Sequence, residues 1–439
     1  MPFSITKTER WISITTIAFA TIASSLPLTA QDTPSKQPSR FYVFNLGAPG
    51  GGTSAAAASI NNAGWISGSA LQSDGVSEHA ELWLGTPLDL GTFGGPNSAV
   101  AWPNKNNKGM IAGIAETADI NKLGEDWSCA LAEFPSITNH ICLGFLWEAG
   151  VMTPLPPFQG GLDSFATAVN NRGQVVGWAE NSVHESTCVF PQVLQFEAAI
   201  WGPELGEMTE LPPLPKDLDG AATAINDRGE VVGISGICDQ AVGRFSAKHA
   251  VLWENGVPID LGNFDGGKAW NTPTAMNNKT QIVGFANLAD TPSGELNPVA
   301  FIWSPEHPIR KILPLAGDSN DIAWGINDRG QVVGQSGNRA FLYEDGVATD
   351  LNSLIQPDSS LNLELANDIN DYGEIVGFAK DTNTGNTVAF LAVPVAGGSV
   401  NDAKLAAKYE ASAHRISIPW NTAPSLPVFG RFFGSGRLH

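Results

Sequence analysis

The sequence predicts an all-β fold: a seven-bladed β-propeller of four-stranded blades, closed by an N-terminal strand in the last blade. Three observations predict it. A turn motif recurs seven times, most fully as Thr167-Ala168-Val169-Asn170-Asn171-Arg172-Gly173-Gln174-Val175-Val176-Gly177. A second motif, mixing aromatic and aliphatic residues, follows each turn, and a shorter third motif usually follows that. The third motif also stands alone ahead of the first unit and is missing after the last. A fixed pattern at a period of several tens of residues is the mark of a repeat architecture.

Within each unit the turn comes first. Its copies begin at Asn61, Asn106, Asn170, Asn226, Asn277, Asn327 and Asn370, with Gly three residues on in every copy but the fifth, where Thr280 stands. Asn followed by Gly at that spacing fits a type I turn with a left-handed closing residue. The Asn side chain can bond the backbone ahead of it, and Gly accepts positive φ. Thr280 therefore marks a turn that is either strained or differently shaped. Small residues precede the turns (Ala55, Ala57; Ala166, Ala168; Ala222, Ala224), and β-branched runs ending in Gly follow them (Val231-Val232-Gly233; Ile375-Val376-Gly377). These read as a hairpin whose first strand is thin enough for a crowded place.

The second motif supplies a third strand, as in His79-Ala80-Glu81-Leu82-Trp83, His249-Ala250-Val251-Leu252-Trp253 and Val299-Ala300-Phe301-Ile302-Trp303. The third motif supplies a fourth, as in Leu88-Asp89-Leu90-Gly91 and Ile259-Asp260-Leu261-Gly262. Over about residues 41–395 the joint recurrence of these motifs resembles the extracellular HAF-repeat proteins, named for a His-Ala-Phe run ahead of Leu-Trp. No copy here spells that run in full; His79-Ala80 and Ala300-Phe301 carry its halves. The resemblance implies a secreted repeat protein and brings no activity with it.

Residues 1–30 read as a signal peptide, with Lys7 and Arg10 ahead of an apolar stretch and Leu28-Thr29-Ala30 as a small-residue cleavage site. The Ser, Thr and Pro in that stretch make it too short and polar for an anchor. A polar leader, residues 31–40, follows. Phe41-Tyr42-Val43-Phe44-Asn45-Leu46-Gly47 then matches the third motif with no unit before it, while the last unit ends at its third strand. A closed ring uses the orphan strand to complete that unit, whereas an open solenoid leaves edges at both ends. The turns advance by 43 to 64 residues, which suits blades whose loops absorb insertions and suits a stacked β-helix poorly. The insertions fall between second and third strands, at about residues 114–143, 180–195 and 236–248. These loops leave one face of the ring, and loop variation on a rigid scaffold is where binding usually resides. Residues 396–439 form a tail with a short helix expected around 402–411.

The formal net charge is −20, and loss of the signal peptide, which carries Lys7, Glu9 and Arg10, makes it −21. So acidic a surface excludes nucleic acid and anionic membranes as partners. Four cysteines behind an export signal suit two disulfides. Cys129 and Cys142 share one loop; Cys188 and Cys238 lie in equivalent loops of adjacent units. That pairing is the one expected, with two others open. A monomer without membrane span is expected once the signal is removed.

Periodic residues belong to the fold, so function should lie in departures from the period. The departures are Trp102, Trp127, Trp270 and Trp324, three of which sit in or just before the first strand of a unit. They either stack on sugar rings or peptide side chains or fill space between blades. The run from Asp119 to Asp126 has Leu123 and Ala130 where an EF-hand needs oxygen ligands, so no metal and no cofactor are assigned. His79 and His249 share a repeat position and read as structural. No nucleophile elbow, phosphate loop or zinc spacing is present, and no catalytic residue is assigned. The reading is a secreted binding or scaffolding propeller for a glycan, peptide or protein. The alternative is a secreted hydrolase or lyase acting on polysaccharide through a carboxylate pair such as Asp318 with Asp321 or Glu125 with Asp126.

Overall fold

The computed structural model describes residues 40–395, apart from 126–128, 130–133, 205, 240–242, 265–269 and 289–296. The signal segment 1–30, residues 31–39 of the leader, the tail 396–439, Trp127 and Asp126 lie outside the described residues. The described residues form twenty-eight β-strands and a 3-10 turn at Leu351–Ser353. Hydrogen bonding gathers the strands, in chain order, into five four-stranded antiparallel meanders and one eight-stranded sheet. The latter is a pair of meanders joined by the parallel bridge of Ser54 with Thr387. Numbered along the chain, sheet one holds residues 51–89, two 94–155, three 160–211, four 219–260, five 272–311, six 321–350 and seven 361–394. Sheet seven takes its outermost strand from the other end of the chain. Phe41–Gly47 pairs antiparallel with Thr387–Pro394, from Phe41 opposite Pro394 to Gly47 opposite Ala389.

Consecutive sheets pack on one another, and the seventh packs on the first. Apolar clusters fill these interfaces. Ala57, Ile60, Val376 and Leu391 lie between sheets seven and one, and Ala168, Val176, Val231 and Trp253 between three and four. The first strand of each unit is innermost, and in sheet three it bulges between Ala166 and Ala168. The bulge throws its carbonyls toward the second strand. A Cβ at Gly177 would lie 1.8 Å from the Phe165 carbonyl oxygen, and one at Gly334 would lie 2.0 Å from that of Ile322. Close approach, rather than turn geometry, is why the Val-Val run ends in glycine.

The turns do more than reverse the chain. Within each, the leading Asn accepts two backbone N–H groups through Oδ1, as Asn61 does from Ala63 and Trp65, both at 2.9 Å. Its Nδ2 then donates to the carbonyl of the next unit's leading Asn. The steps run Asn61 to Asn106 (3.1 Å), Asn106 to Asn170 (2.7 Å), Asn170 to Asn226 (3.0 Å) and Asn226 to Asn277 (3.5 Å). They go on from Asn277 to Asn327 (2.9 Å), Asn327 to Asn370 (2.9 Å) and Asn370 back to Asn61 (3.1 Å). A second circuit runs beside it: each following residue donates its N–H to the side-chain oxygen of its counterpart, from Asn62 through Asn107, Asn171, Asp227, Asn278, Asp328 and Asp371 to Asn62 again. The repeated Asp residues are thus acceptors in this circuit.

Thr280 keeps the common turn shape at φ 56°, with its N–H on the Asn277 carbonyl at 3.2 Å. The turn is strained rather than reshaped, since a β-branched residue resists the left-handed region. Its hydroxyl donates to Glu230 at 3.0 Å and accepts from Arg228, which offsets part of that cost. The loops differ from expectation in length. Met110–Ile120 and Val175–His184 continue past the rim as strand, so the connections in sheets two and three span only residues 121–139 and 185–193.

The double circuit predicts that Asn61→Ala, which removes two acceptor contacts and one donor contact at a buried site, lowers unfolding free energy by about 2–4 kcal/mol. Chemical denaturation of the variant measures this. A loss within error of zero would mean that apolar packing alone closes the ring.

Candidate functional site

The face opposite the Asn turns carries the connections between second and third strands. Three of them are tied down. Cys129 bonds Cys142 across 13 residues, and Cys188 bonds Cys238 across 50, joining the loops of sheets three and four. The described cysteines are all paired, in the combination expected. A backbone bond from the Val189 N–H to the Asp239 carbonyl, 2.7 Å, reinforces the second link.

These loops hold apolar side chains out to solvent. Ile120 and Ile137 on sheet two, Val183, Val189 and Phe190 on sheet three, and Phe245 on sheet four are all exposed, Ile137 and Phe190 by 73% and 71%. Among the described residues the opposite face exposes Val151, Val257 and Val347 at the turns between third and fourth strands, and Tyr372 in an Asn turn. Scattered exposed apolar residues are ordinary, whereas gathered ones mark contact surfaces.

The tryptophans divide. From Asp163 to Asn170 the first strand of sheet three takes seven steps; from Asn97 to Asn106 its counterpart in sheet two takes nine. The two extra residues push Trp102 inward, and Asn104 repairs the interrupted pairing by bonding Ala112 through both amide atoms, at 3.2 and 2.9 Å. Trp102 is 7% exposed. It packs edge-on to Phe165 (6.0 Å) and Trp178 (6.2 Å) of sheet three and to Trp324 (6.2 Å) of sheet six. Sheets two and six are not neighbours, so this contact spans the ring. Trp324 also meets Phe285 of sheet five at 6.5 Å. Trp270, half-buried, sits at the rim with φ 56°. Thus Trp102 and Trp324 come together at the centre, while Trp270 stands with the loops.

Acidic residues mark the start of the first strands. The Cys142 N–H of sheet two donates to Asp163 of sheet three at 2.7 Å, and the Ala300 N–H of sheet five donates to Asp321 of sheet six at 2.9 Å. Asn97 likewise accepts the Glu78 N–H at 2.9 Å. These side chains stitch each sheet to the one before. Sequence reasoning missed them, although the recurring Gly-Gly-x-Asn/Asp-Ser in units two and three was their signal. Asp321 is pushed up to about 7 by burial, against the pull of the Ala300 N–H. Asp318 is held low by the Ser336 hydroxyl and the Arg339 guanidinium. Both carboxylates are therefore engaged in holding sheet six. Glu197, buried near Glu210 and Asp219, is pushed up to about 9, burial being the main cause. His79 and His249 bond Asp89 (2.7 Å) and Asp217 (2.8 Å), in keeping with structural roles. Glu125, Asp163 and Glu180 form a buried oxygen cluster between sheets two and three. Glu116 near the first disulfide and Glu185 near the second are not metal sites, because bonded sulfurs lack the thiolate a metal needs.

No protein-family model matches the chain, and no curated protein matches it. Among solved structures it is similar to the β-propeller domain of the trilobed protease from Pyrococcus furiosus, at 9% identity over 81% of this chain and 94% of that one, with a TM-score of 0.43. It is also similar to an oligogalacturonate lyase in complex with manganese, at 11% identity over 82% and 98%, TM-score 0.45. A gluconolactonase from Xanthomonas campestris follows at 10% identity over 58% and 79%, TM-score 0.32. No activity carries over at such distances.

Two outcomes are expected. Trp102→Ala leaves a cavity at the centre of the ring and lowers stability by about 3–5 kcal/mol, whereas Trp270→Ala at the rim costs less than about 2 kcal/mol. Thermal melts compare them. For Glu197, the folded state holds its proton to about pH 9, while the unfolded chain releases it near the ordinary 4.5. Its contribution is therefore most favourable below that ordinary value and is lost as pH rises toward 9. Glu197→Gln should melt above the parent at pH 8 and not at pH 5; a difference independent of pH would contradict this.

Proposed function

We propose that the chain is a secreted, seven-bladed β-propeller of the HAF-repeat kind, acting as a monomeric binding or scaffolding module. Its ligand is a glycan, peptide or protein, held at the face formed by the loops of sheets two to four. The observation that carries this reading is the gathering of exposed apolar side chains on those three loops, two of which are joined by a disulfide. Ile137, Val189, Phe190 and Phe245 are 42 to 73% exposed, and apolar surface of this kind favours a partner that covers it.

The blade count is supported by two hydrogen-bond circuits that each return to their start after seven steps in chain order. Export is supported by two disulfides, which form and persist in oxidising compartments. With Trp102 and Trp324 meeting across the ring, the ligand engages the rim rather than a through-channel.

The test pairs a glycan array and a peptide-display screen with turnover assays on polysaccharides. Against whichever ligand the parent selects, the triple variant Ile137→Ser, Phe190→Ser, Phe245→Ser should lose at least about tenfold in affinity, about 1.4 kcal/mol. Its melting should barely move, because exposed substitutions stay within about 0.5 kcal/mol. Val257→Ser with Val347→Ser, on the other face, should bind like the parent. Equal affinity in the loop variant would sink the proposal, and steady release of sugar ends would favour a hydrolase or lyase instead.

A further inference from the structure

Glu125, Asp163 and Glu180 each present a carboxylate oxygen, and the three oxygens lie within 4.8 Å of one another. All three residues are fully buried. Asp163 and Glu180 belong to adjacent strands of sheet three, and Glu125 arrives from the long connection of sheet two, so the cluster lies beneath the disulfide-tied loops.

The hydrogen bonds around it are unevenly shared. Asp163 accepts from the Cys142 N–H at 2.7 Å and the Asn121 amide at 2.9 Å. Glu180 accepts from the N–H groups of Asp163 (2.9 Å) and Leu162 (3.2 Å) and from the Gln192 amide nitrogen (3.1 Å). Glu125 Oε1 accepts from the N–H groups of Val193 (2.7 Å) and Leu194 (2.6 Å). Its Oε2 is buried with no donor. The Oε1 of Gln192 is in the same position: the side chain is 2% exposed, its nitrogen is held on Glu180 and on the Leu194 carbonyl, and its oxygen has no donor. Two buried oxygens, one of them on a neutral amide outside the acidic cluster, thus lack the positive partner that burial demands.

Sheet two has the same arrangement with an amide in place of one carboxylate. There Asn97 takes the place of Asp163, and both its N–H and its amide donate to Glu116 Oε2, at 2.9 and 3.0 Å. In sheet three the amide donor is exchanged for a second carboxylate, and Glu125 adds a third. The framework thus accepts an amide at this position, and the added carboxylates set this interface apart from that of sheet two.

We propose that Glu125, Asp163 and Glu180, with the Gln192 amide oxygen, bind a calcium ion between sheets two and three. An all-oxygen donor set with several carboxylates selects a hard cation. Calcium–oxygen bonds of about 2.4 Å allow ligands up to about 4.8 Å apart to share one ion, and the three carboxylate oxygens lie within that limit. The ion would anchor the loop that carries Cys129 and Ile137 onto sheet three, and so fix part of the rim. This assignment is independent of what the rim binds.

Calorimetric titration of the full-length, chelator-treated protein with calcium chloride tests it. One ion should bind per chain, and the melting temperature should rise with calcium and fall in EGTA. Asp163→Asn restores the arrangement of sheet two and should fold, losing at least tenfold in calcium affinity; Glu125→Gln should lose as much. Absence of calcium binding in the parent, or unchanged affinity in both variants, would overturn the proposal. An equal response to magnesium at the same concentration would overturn the choice of ion. Failure of a variant to fold leaves the decision to the parent titration, which is sufficient alone.

Discussion

Everything in this fold leans on a side-chain amide that faces two ways. Each leading Asn shapes its own turn through Oδ1 and reaches the next turn through Nδ2. Only an amide can do both, since a carboxylate has no donor and a hydroxyl is too short. The local requirement and the global one are therefore met by the same residue. The neighbouring position needs only an acceptor, and there Asn and Asp alternate freely along the second circuit. Because each step joins consecutive units, the circuit keeps the sheets in chain order. The terminal strands are drawn to each other for the same reason, and Phe41–Gly47 fills the edge that Thr387–Pro394 would otherwise expose.

Such a scaffold separates its faces. On the turn side the spacing of hydrogen-bonded amides leaves little freedom, and even Thr280 is forced into a left-handed conformation rather than released from the pattern. On the other side the second-to-third connections have no partner in the circuit, so they can lengthen. Where they do, in sheets two to four, the disulfides restrain them. Each link limits the unfolded chain more than it reshapes the folded one, by about 2–4 kcal/mol in chain-entropy terms. Long loops and exposed apolar residues are tolerated together because the ring beneath them is held from the opposite face.

How much of this was legible in the sequence depended on distance along the chain. The turn motif, the four-strand unit and the orphan strand follow from patterns that repeat within a unit or between adjacent units, and the cysteine pairing is the expected one of three that the sequence leaves open. The circuits themselves were not legible. Asn was read as a turn former, and its second role appears only when units are set side by side. Trp102 was recognised as a departure, but nothing in its flanks says that two added residues carry it across the centre to Trp324. The buried oxygen cluster was invisible for a related reason: residues 125, 163, 180 and 192 have no common spacing, and the ring alone brings them together. Thr280 shows the limit from the other side, since its sequence marks an exception but not which way the backbone resolves it.

The centre of the ring bears on what the molecule can do. A ring of inner strands leaves an axial space, and a site within it would draw residues from all units at once. Here Trp102 and Trp324 meet across part of that space, beside Phe165 and Trp178, whose rings lie 4.4 Å apart, while Asn62, Lys105, Asp227, Asn278, Asp328 and Asp371 line a hollow among the turns. The two carboxylates of sheet six are separated in role: Asp318 answers to Arg339, and Asp321 to the backbone of sheet five. Burying carboxyl groups at such interfaces disfavours the folded state at neutral pH, because Glu197 must take up a proton and Asp321 is pushed toward doing so. With aromatic rings across part of its axis, the ring leaves its rim as the place where side chains are free of the repeat. The variable loops can therefore change without breaking a circuit, and recognition has room there to be built.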